Sequence, residues 1–242
     1  DEWIESLSKE QLDVISLESE GEGKKAALKT GIKKAFGSLV LTTDADCFLP
    51  KDWVEKMIRP FSDESIKMVA GPVLPKGDIG FFENFQQIEW ASILLVTQSG
   101  FHLGSPIMCS AANMAYRKSA FLEVEGYLGN EGLLSGDDEF LLKKMVNKFG
   151  PESVVYLQES LVYTQPQGSW KALFSQRIRW ASKWKSHKSF SHTLASVLPV
   201  AVQVAFLWSF SLLFMGIPGM LVFAAVWILK IYFETQTLGN VL

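Results

Sequence analysis

Two carboxylates one residue apart, Asp44 and Asp46, end the apolar run Leu39-Val40-Leu41-Thr42-Thr43. On a strand, residues i and i+2 face the same way, so both could converge on one divalent cation, or on one cation and a sugar. The same residues also suit a solvated Asp-Ala-Asp turn. A second acidic group, Asp137-Asp138-Glu139, runs straight into Phe140, Leu141, Leu142, Met145 and Val146, the apolar face of a helix. It therefore sits at that helix's N-terminus, where a carboxylate serves either as a cap or as an acid/base group. A third group, Gln176, Arg179 and Trp180, shares one helix face by its three- and four-residue spacing. The basic residues of that helix also suit contact with lipid headgroups.

These groups need elements to hold them. Val14 to Leu17 reads as a short strand, and the polar loop Glu18 to Gly23 follows. Lys24 to Phe36 then has an amphipathic helical period, and the apolar run into Asp44 completes a β-α-β unit with a right-handed crossover. An apolar run of that kind suits a buried parallel strand, whose carboxyl end is where open α/β folds place ligands. Helices are expected from Pro50 to Phe61 and from Ile79 to Gln98, the latter carrying Glu83 and Glu89, which argue against a membrane span. Met68 to Leu74, Val154 to Leu157 and Leu161 to Thr164 read as strands. Small residues from Gly104 to Arg117 would let a ligand approach the backbone closely, as would a packed strand.

The charge balance of 23 basic to 26 acidic residues, net -3, provides no global field for nucleic acid. Cys47 and Cys109 are too few for a disulfide framework and suit free thiols in a reducing compartment. His102, His187 and His192 show no ligand or triad spacing. Composition changes sharply near residue 193. From Leu194 to Phe233 the only formally charged side chain is Lys230, and Leu194–Met215 and Ile217–Phe233 are expected to form a transmembrane hairpin around Gly216-Ile217-Pro218-Gly219. Arg177, Arg179, Lys183, Lys185 and Lys188 precede it, which by the positive-inside rule places the soluble domain in the cytoplasm. A buried soluble hairpin is the alternative. The chain opens without Met in what reads as mid-helix (Trp3, Ile4, Leu7), so an upstream portion is expected.

Gly23 to Gly31, Asp44-Ala45-Asp46, Asn113 to Lys118, Asp137-Asp138 and Gln176-Arg177-Ile178-Arg179-Trp180, followed by apolar spans, come in an order that resembles the membrane-bound family 2 glycosyltransferases, the group that includes cellulose, chitin and hyaluronan synthases. The resemblance implies an α/β fold of GT-A (Rossmann-like) type with a mostly parallel sheet, over residues 1–168. It further implies an interfacial helix over 169–192 and two transmembrane helices over 193–242. The activity implied is metal-dependent, inverting sugar transfer from a nucleotide-diphosphate sugar to a glycan or lipid-linked acceptor, in a multi-pass protein of the cytoplasmic membrane. The partners are then the donor, the acceptor and the lipid bilayer, with no nucleic acid.

By the same resemblance Asp46 binds Mg²⁺ or Mn²⁺, Asp44 lies near the donor, and Lys24 and Arg179 contact the nucleotide diphosphate. Asp138 is the catalytic base, and Asn113, Asp137, Gln176 and Trp180 line the acceptor side. The family's usual acidic pair is Glu-Asp, where this chain has Asp137-Asp138, and its usual Asn is replaced by Lys29. The family's first strand and nucleotide-contacting loop are expected upstream of Asp1, leaving the donor pocket incomplete in this chain. A membrane-anchored adaptor that keeps the fold without catalysis is the alternative function.

Overall fold

The computed structural model describes residues 15–77, 80–129, 136–181, 201–202 and 204–239. The expected features at Trp3, Ile4, Leu7, Val14, Lys183, Lys185, Lys188, His187, His192 and 194–200 lie outside them. Helix α1 (Lys24–Lys34) leads to β1 (Leu39–Thr42) and β2 (Cys47–Phe48). Helix α2 (Trp53–Ile58) continues as a 3₁₀ turn (Arg59–Ser62), because Pro60 lacks the N–H that the α-helical ladder needs. Strands β3 (Met68–Ala70) and β4 (Val73–Pro75) precede the 22-residue helix α3 (Phe81–His102). A 3₁₀ turn (Ala111–Asn113), β5 (Met114–Arg117), α4 (Lys118–Glu123), α5 (Asp137–Phe149), β6 (Val154–Tyr156), β7 (Val162–Thr164) and α6 (Trp170–Ala181) follow. Helix α7 (Gly216–Gly239) is the last element.

The larger sheet has the order β1-β5-β3-β6. Strands β1, β3 and β6 run one way, and β5 lies reversed between β1 and β3. The direction of β5 follows from its entry. Gly104, with φ +66°, turns the chain at the end of α3, and an extended segment delivers it to the carboxyl end of β1, where Met114 pairs with Thr42. The expected single strand from Met68 to Leu74 is broken by Gly71-Pro72 into two strands in different sheets, the second being β2-β7-β4. The expected strand at Val14 to Leu17 does not form over Ile15–Leu17. These residues are exposed and have no regular structure, and the edge strand β1 pairs only with β5 among the described residues. An apolar tetrapeptide without a ladder partner has nothing to hold it as a strand.

Both faces of the larger sheet are covered, which is why its strands are apolar throughout. On one face Met68, Met114 and Tyr116 pack with Ile32, Phe121, Leu141, Leu142 and Met145 from α1, α4 and α5. On the other, Val69 and Ala115 pack with Trp53, Met57 and Phe61. Cys47 and Cys109 form no disulfide.

Helix α7 contains a stretch, Gly216–Gln236, long and apolar enough to cross a membrane and only 6% buried within the protein. Before it, Val204–Phe214 is a shorter apolar helical stretch. Phe206 and Phe210 meet Trp227 and Phe223 with centroids 6.1 and 5.1 Å apart, and Trp227 Nε1 donates to Ser209 Oγ at 3.0 Å. Pairing 206 with 227 and 210 with 223 is the pattern of an antiparallel helical hairpin. The reversal is at Met215-Gly216, with Gly216 at φ +72°, so Ile217-Pro218-Gly219 is the first turn of α7 rather than a separate loop. Among the described residues only α7 is both long and apolar enough to cross a bilayer; the described part of the first expected span includes the shorter apolar stretch Val204–Phe214, and 194–200 lie outside the described residues.

Candidate functional site

Asp44 and Asp46 are not on a strand. Cys47 N donates to Asp44 O at 3.1 Å, which closes a turn between β1 and β2, so the expected i, i+2 strand geometry gives way to a turn just past the carboxyl end of β1. Asp44 is half-buried and Asp46 is exposed. The 3₁₀ turn Ala111–Asn113 reaches the same place, because Thr42 Oγ1 donates to Ala111 O at 2.7 Å. Ala111 N in turn donates to Asp138 Oδ2 at 3.2 Å, in the first turn of α5. Three separate chain segments therefore meet at the end of one strand.

Lys24, the first residue of α1, joins them. Its Nζ lies 2.7 Å from Asp44 Oδ1 and 3.7 Å from Asp137 Oδ2. Burial works against the ammonium. The hydrogen bond to Asp44 and the charges of Asp137, Asp44 and Asp138 outweigh it, so Lys24 titrates above its ordinary value. A raised lysine pKa means that its contribution to stability is complete below the ordinary value of 10.5 and fades as pH climbs through the folded value. The stability gap between wild type and Lys24→Met should therefore be flat from neutral pH to that point and narrow above it. With the Lys24 side chain 47% exposed, the gap should stay below about 1 kcal/mol, which melting temperatures taken across the pH range would check.

The acidic group at the start of α5 divides its labour. Gly136, at φ +87°, swings the chain into the helix, and Asp137, Asp138 and Glu139 occupy its first turn. Asp137 is buried and turned toward Lys24; its Oδ2 accepts no hydrogen bond among the described atoms. Asp138 is half-buried. Its Oδ1 accepts from Glu139 N at 2.8 Å and its Oδ2 from Ala111 N, so it acts in part as the cap that its position suggests. Behind the pair, burial raises the Tyr116 phenol to about 12 and also raises that of Tyr127, so both remain neutral at working pH.

Asn113 is a correction. Expected to face the acceptor, it is fully buried. Its Oδ1 accepts from Trp53 Nε1 at 2.9 Å, and its Nδ2 donates to Pro72 O at 2.8 Å and also to Ser160 O. A carboxamide that is fully buried, with both donors spent on backbone carbonyls and its oxygen on Trp53, does not face a sugar. Gly71 is required beside it, because a Cβ there would overlap the Asn113 side chain.

Gln176, Arg179 and Trp180 lie on α6, which packs along α3. Ser169 Oγ accepts from Ala172 N at 3.3 Å at the helix start, as its type predicts. Arg179 is exposed, and the described contacts of Gln176 and Trp180 run to Arg177 and Trp90 rather than to the Lys24 cluster. The residue that ties this helix down is Arg177. It forms a two-pronged ion pair with Glu89 on α3, Nε to Oε1 at 2.7 Å and Nη2 to Oε2 at 2.8 Å. In the sequence Arg177 is legible only as a basic residue beside Arg179 and ahead of the apolar spans, Trp90 carries no signal of its own, and Glu89 is legible only as a charge interrupting an apolar run.

Residues 1–124, just over half of the chain, match the family model described as glycosyl transferase family 2. The chain belongs to that family. Its fold is accordingly a mixed α/β arrangement of the GT-A type, followed by the apolar helix α7. Among curated relatives, the poly-beta-1,6-N-acetyl-D-glucosamine synthases of Staphylococcus aureus strains COL and N315 are 28% identical to this family 2 chain over 179 residues. That match takes in 72% of the chain but 42% of each relative, so the chain spans less than half the length of the curated relatives it matches. Among solved structures, glucosyl-3-phosphoglycerate synthase from Mycobacterium tuberculosis, in complex with Mn²⁺, UDP-glucose and glycerol 3-phosphate, is 14% identical with a TM-score of 0.44. That alignment takes in 66% of this chain and 51% of that one. The family match includes Lys24, Asp44, Asp46 and Asn113 and ends before Asp137.

Proposed function

We propose that this family 2 protein is an inverting glycosyltransferase of the hexosyltransferase kind. It moves a sugar from a nucleotide-diphosphate donor to a glycan or lipid-linked acceptor at the cytoplasmic face of a membrane. The observation that carries this reading is the meeting at Lys24. One ammonium stands between the Asp44 turn and the acidic first turn of α5, so a donor-side and an acceptor-side carboxylate pair face each other at the end of β1. Residues 1–168 form the transferase domain in this reading, 169–192 an interfacial helix, and 193–242 the membrane hairpin.

A divalent cation fits the donor side by the chemistry of its ligands. No three His, Cys, Asp or Glu side chains gather among the described residues, but Mg²⁺ and Mn²⁺ take oxygen and need only one or two carboxylates besides phosphate and water. Asp46 would hold it: it is exposed, and among the described residues its hydrogen-bond partner is the Cys47 thiol at 3.9 Å, with Asp44 beside the donor. The cation would neutralise charge on the departing diphosphate. The chain's own groups do the rest. Lys24 and Arg179 bind diphosphate oxygens, Trp180 and Gln176 wall the acceptor, and Asp137 holds Lys24 in place. Asp138 takes the proton of the acceptor hydroxyl as its oxygen bonds to the anomeric carbon and the bond to the diphosphate breaks on the opposite face, which inverts the centre.

The test is a screen of the full-length protein in membranes against nucleotide sugars with Mg²⁺ or Mn²⁺, alongside Asp46→Ala. Expected are transfer from at least one donor and a loss of metal-dependent donor binding of about tenfold or more in the variant, the scale of a lost charge-assisted contact. Binding without transfer or hydrolysis of any donor would instead favour the adaptor. Unchanged metal-dependent binding in Asp46→Ala would remove the metal assignment.

A further inference from the structure

We infer that Glu89, on α3, is a positioning residue for the acceptor wall: it fixes Arg177 through both carboxylate oxygens, and Arg177 holds the Trp180 ring against Trp90. The inference rests on the proposed role of Trp180.

Every part of the linkage is present in the geometry. The Arg177 fork spends Nε and Nη2 on Glu89 at 2.7 and 2.8 Å and Nη1 on the Gln176 carboxamide oxygen. Its guanidinium lies 4.4 Å from the Trp180 ring centre and 5.3 Å from that of Trp90. The two indoles meet edge to face, with centroids 5.3 Å apart and planes at 79°. Arg177 therefore touches both Gln176 and Trp180, and through Glu89 it ties them to a helix 88 residues earlier in the chain. The pair is sheltered, with Arg177 19% and Glu89 33% exposed, so salt screens it less than a surface pair. A planar guanidinium can fork to a carboxylate and face an aromatic ring at the same time, which a lysine cannot.

The experiment compares wild type, Glu89→Gln, Arg177→Lys and Trp180→Ala in the full-length protein reconstituted in lipid nanodiscs. It reads acceptor KM, donor KM, donor hydrolysis in the absence of acceptor, and melting temperature. Glu89→Gln keeps size and loses charge, so it should raise acceptor KM about tenfold, as for a lost charge-assisted bond, with donor KM and donor hydrolysis unchanged. Arg177→Lys, which keeps the charge but loses both the fork and the flat face over the Trp180 ring, should raise acceptor KM at least as much as Glu89→Gln. If Trp180→Ala raises acceptor KM and Glu89→Gln does not, the role of Glu89 is overturned while the acceptor wall stands. If Trp180→Ala changes nothing, the acceptor wall itself is wrong and the purpose given to Glu89 falls with it. A drop in every parameter together with melting temperature in Glu89→Gln would mark a merely structural pair and overturn the inference. Fluorine spectra of 5-fluorotryptophan protein, assigned with Trp90→Phe and Trp180→Phe, give a readout independent of turnover. The Trp180 resonance should shift and broaden in Glu89→Gln, and an unchanged resonance would also overturn the inference.

Discussion

Asp138→Asn should lower sugar transfer by about 10²–10⁴-fold, the contribution of a positioned general base, while donor affinity stays within about twofold of wild type. The substitution nearly preserves shape but removes the group that accepts the acceptor's proton. It also has a structural cost that must be separated from chemistry. The carboxylate accepts from both Glu139 N and Ala111 N, and an amide can offer oxygen to only one of them. One part-buried hydrogen bond to a charged group is therefore lost, worth about 1.5–3 kcal/mol, too little to unfold a domain though enough to lower its melting temperature by several degrees. A drop of more than 10² measured well below the variant's own melting temperature, where the protein remains folded, is thus chemical. Asp137→Asn supplies the contrast. Asp137 faces Lys24 and is buried, so its variant should weaken donor binding more than the chemical step. Initial rates of sugar incorporation at saturating donor would decide the matter. If Asp138→Asn retained more than a tenth of wild-type turnover, the base would have to be sought elsewhere, with Glu139 next in line.

The contrast between the neighbours also shows what could be read without coordinates. Apolar periodicity placed α1, α3, α5 and α6 correctly, because each buries one face locally; the apolar run of β1 does form a strand, but it is mostly half-buried and its described partner, β5, runs antiparallel rather than parallel as expected. Ser169 and the acidic start of α5 were legible for the same reason: caps and helix starts are written in adjacent residues. What could not be read is every contact between distant segments. Lys24 was legible as a basic group in a Gly-Lys segment, but its placement between Asp44 and Asp137 depends on three segments meeting at the end of β1. Asp44 and Asp46 were legible as a carboxylate pair past an apolar run, though the strand geometry invoked for them is a turn closed by Cys47 N. Glu89 argued against a membrane span only as a charge; its partner is 88 residues away. The direction of β5 depends on a reversal after α3 that hydrophobic patterning does not record.

Asn113 carries the last and largest structural prediction. Asn113→Ala should lower the melting temperature by roughly 6–12 °C in detergent or nanodiscs, corresponding to about 3 kcal/mol at 2–4 °C per kcal/mol for a chain of this size. The estimate comes from what is left behind. Trp53 Nε1 loses its acceptor, and the carbonyls of Pro72 and Ser160 lose a donor, in a region with no access to water. Pro72 O still accepts from Val162 N, so the cost falls on Trp53 Nε1 and Ser160 O, about 1–3 kcal/mol for each group left without a partner, and relaxation of the neighbours recovers part of the sum. Asn113→Asp should be at least as harmful, since it would aim a carboxylate oxygen at two carbonyls while keeping the size of the side chain. The effect should also reach the site. Asn113 closes the 3₁₀ turn whose Ala111 N–H holds Asp138, so the alanine variant should lose transfer activity even at temperatures where it is folded. Melting curves and rates measured on the same preparation test both halves. A melting temperature within 2 °C of wild type would mean that water or rearrangement satisfies these groups, and that Asn113 does not hold the turn beneath Asp138.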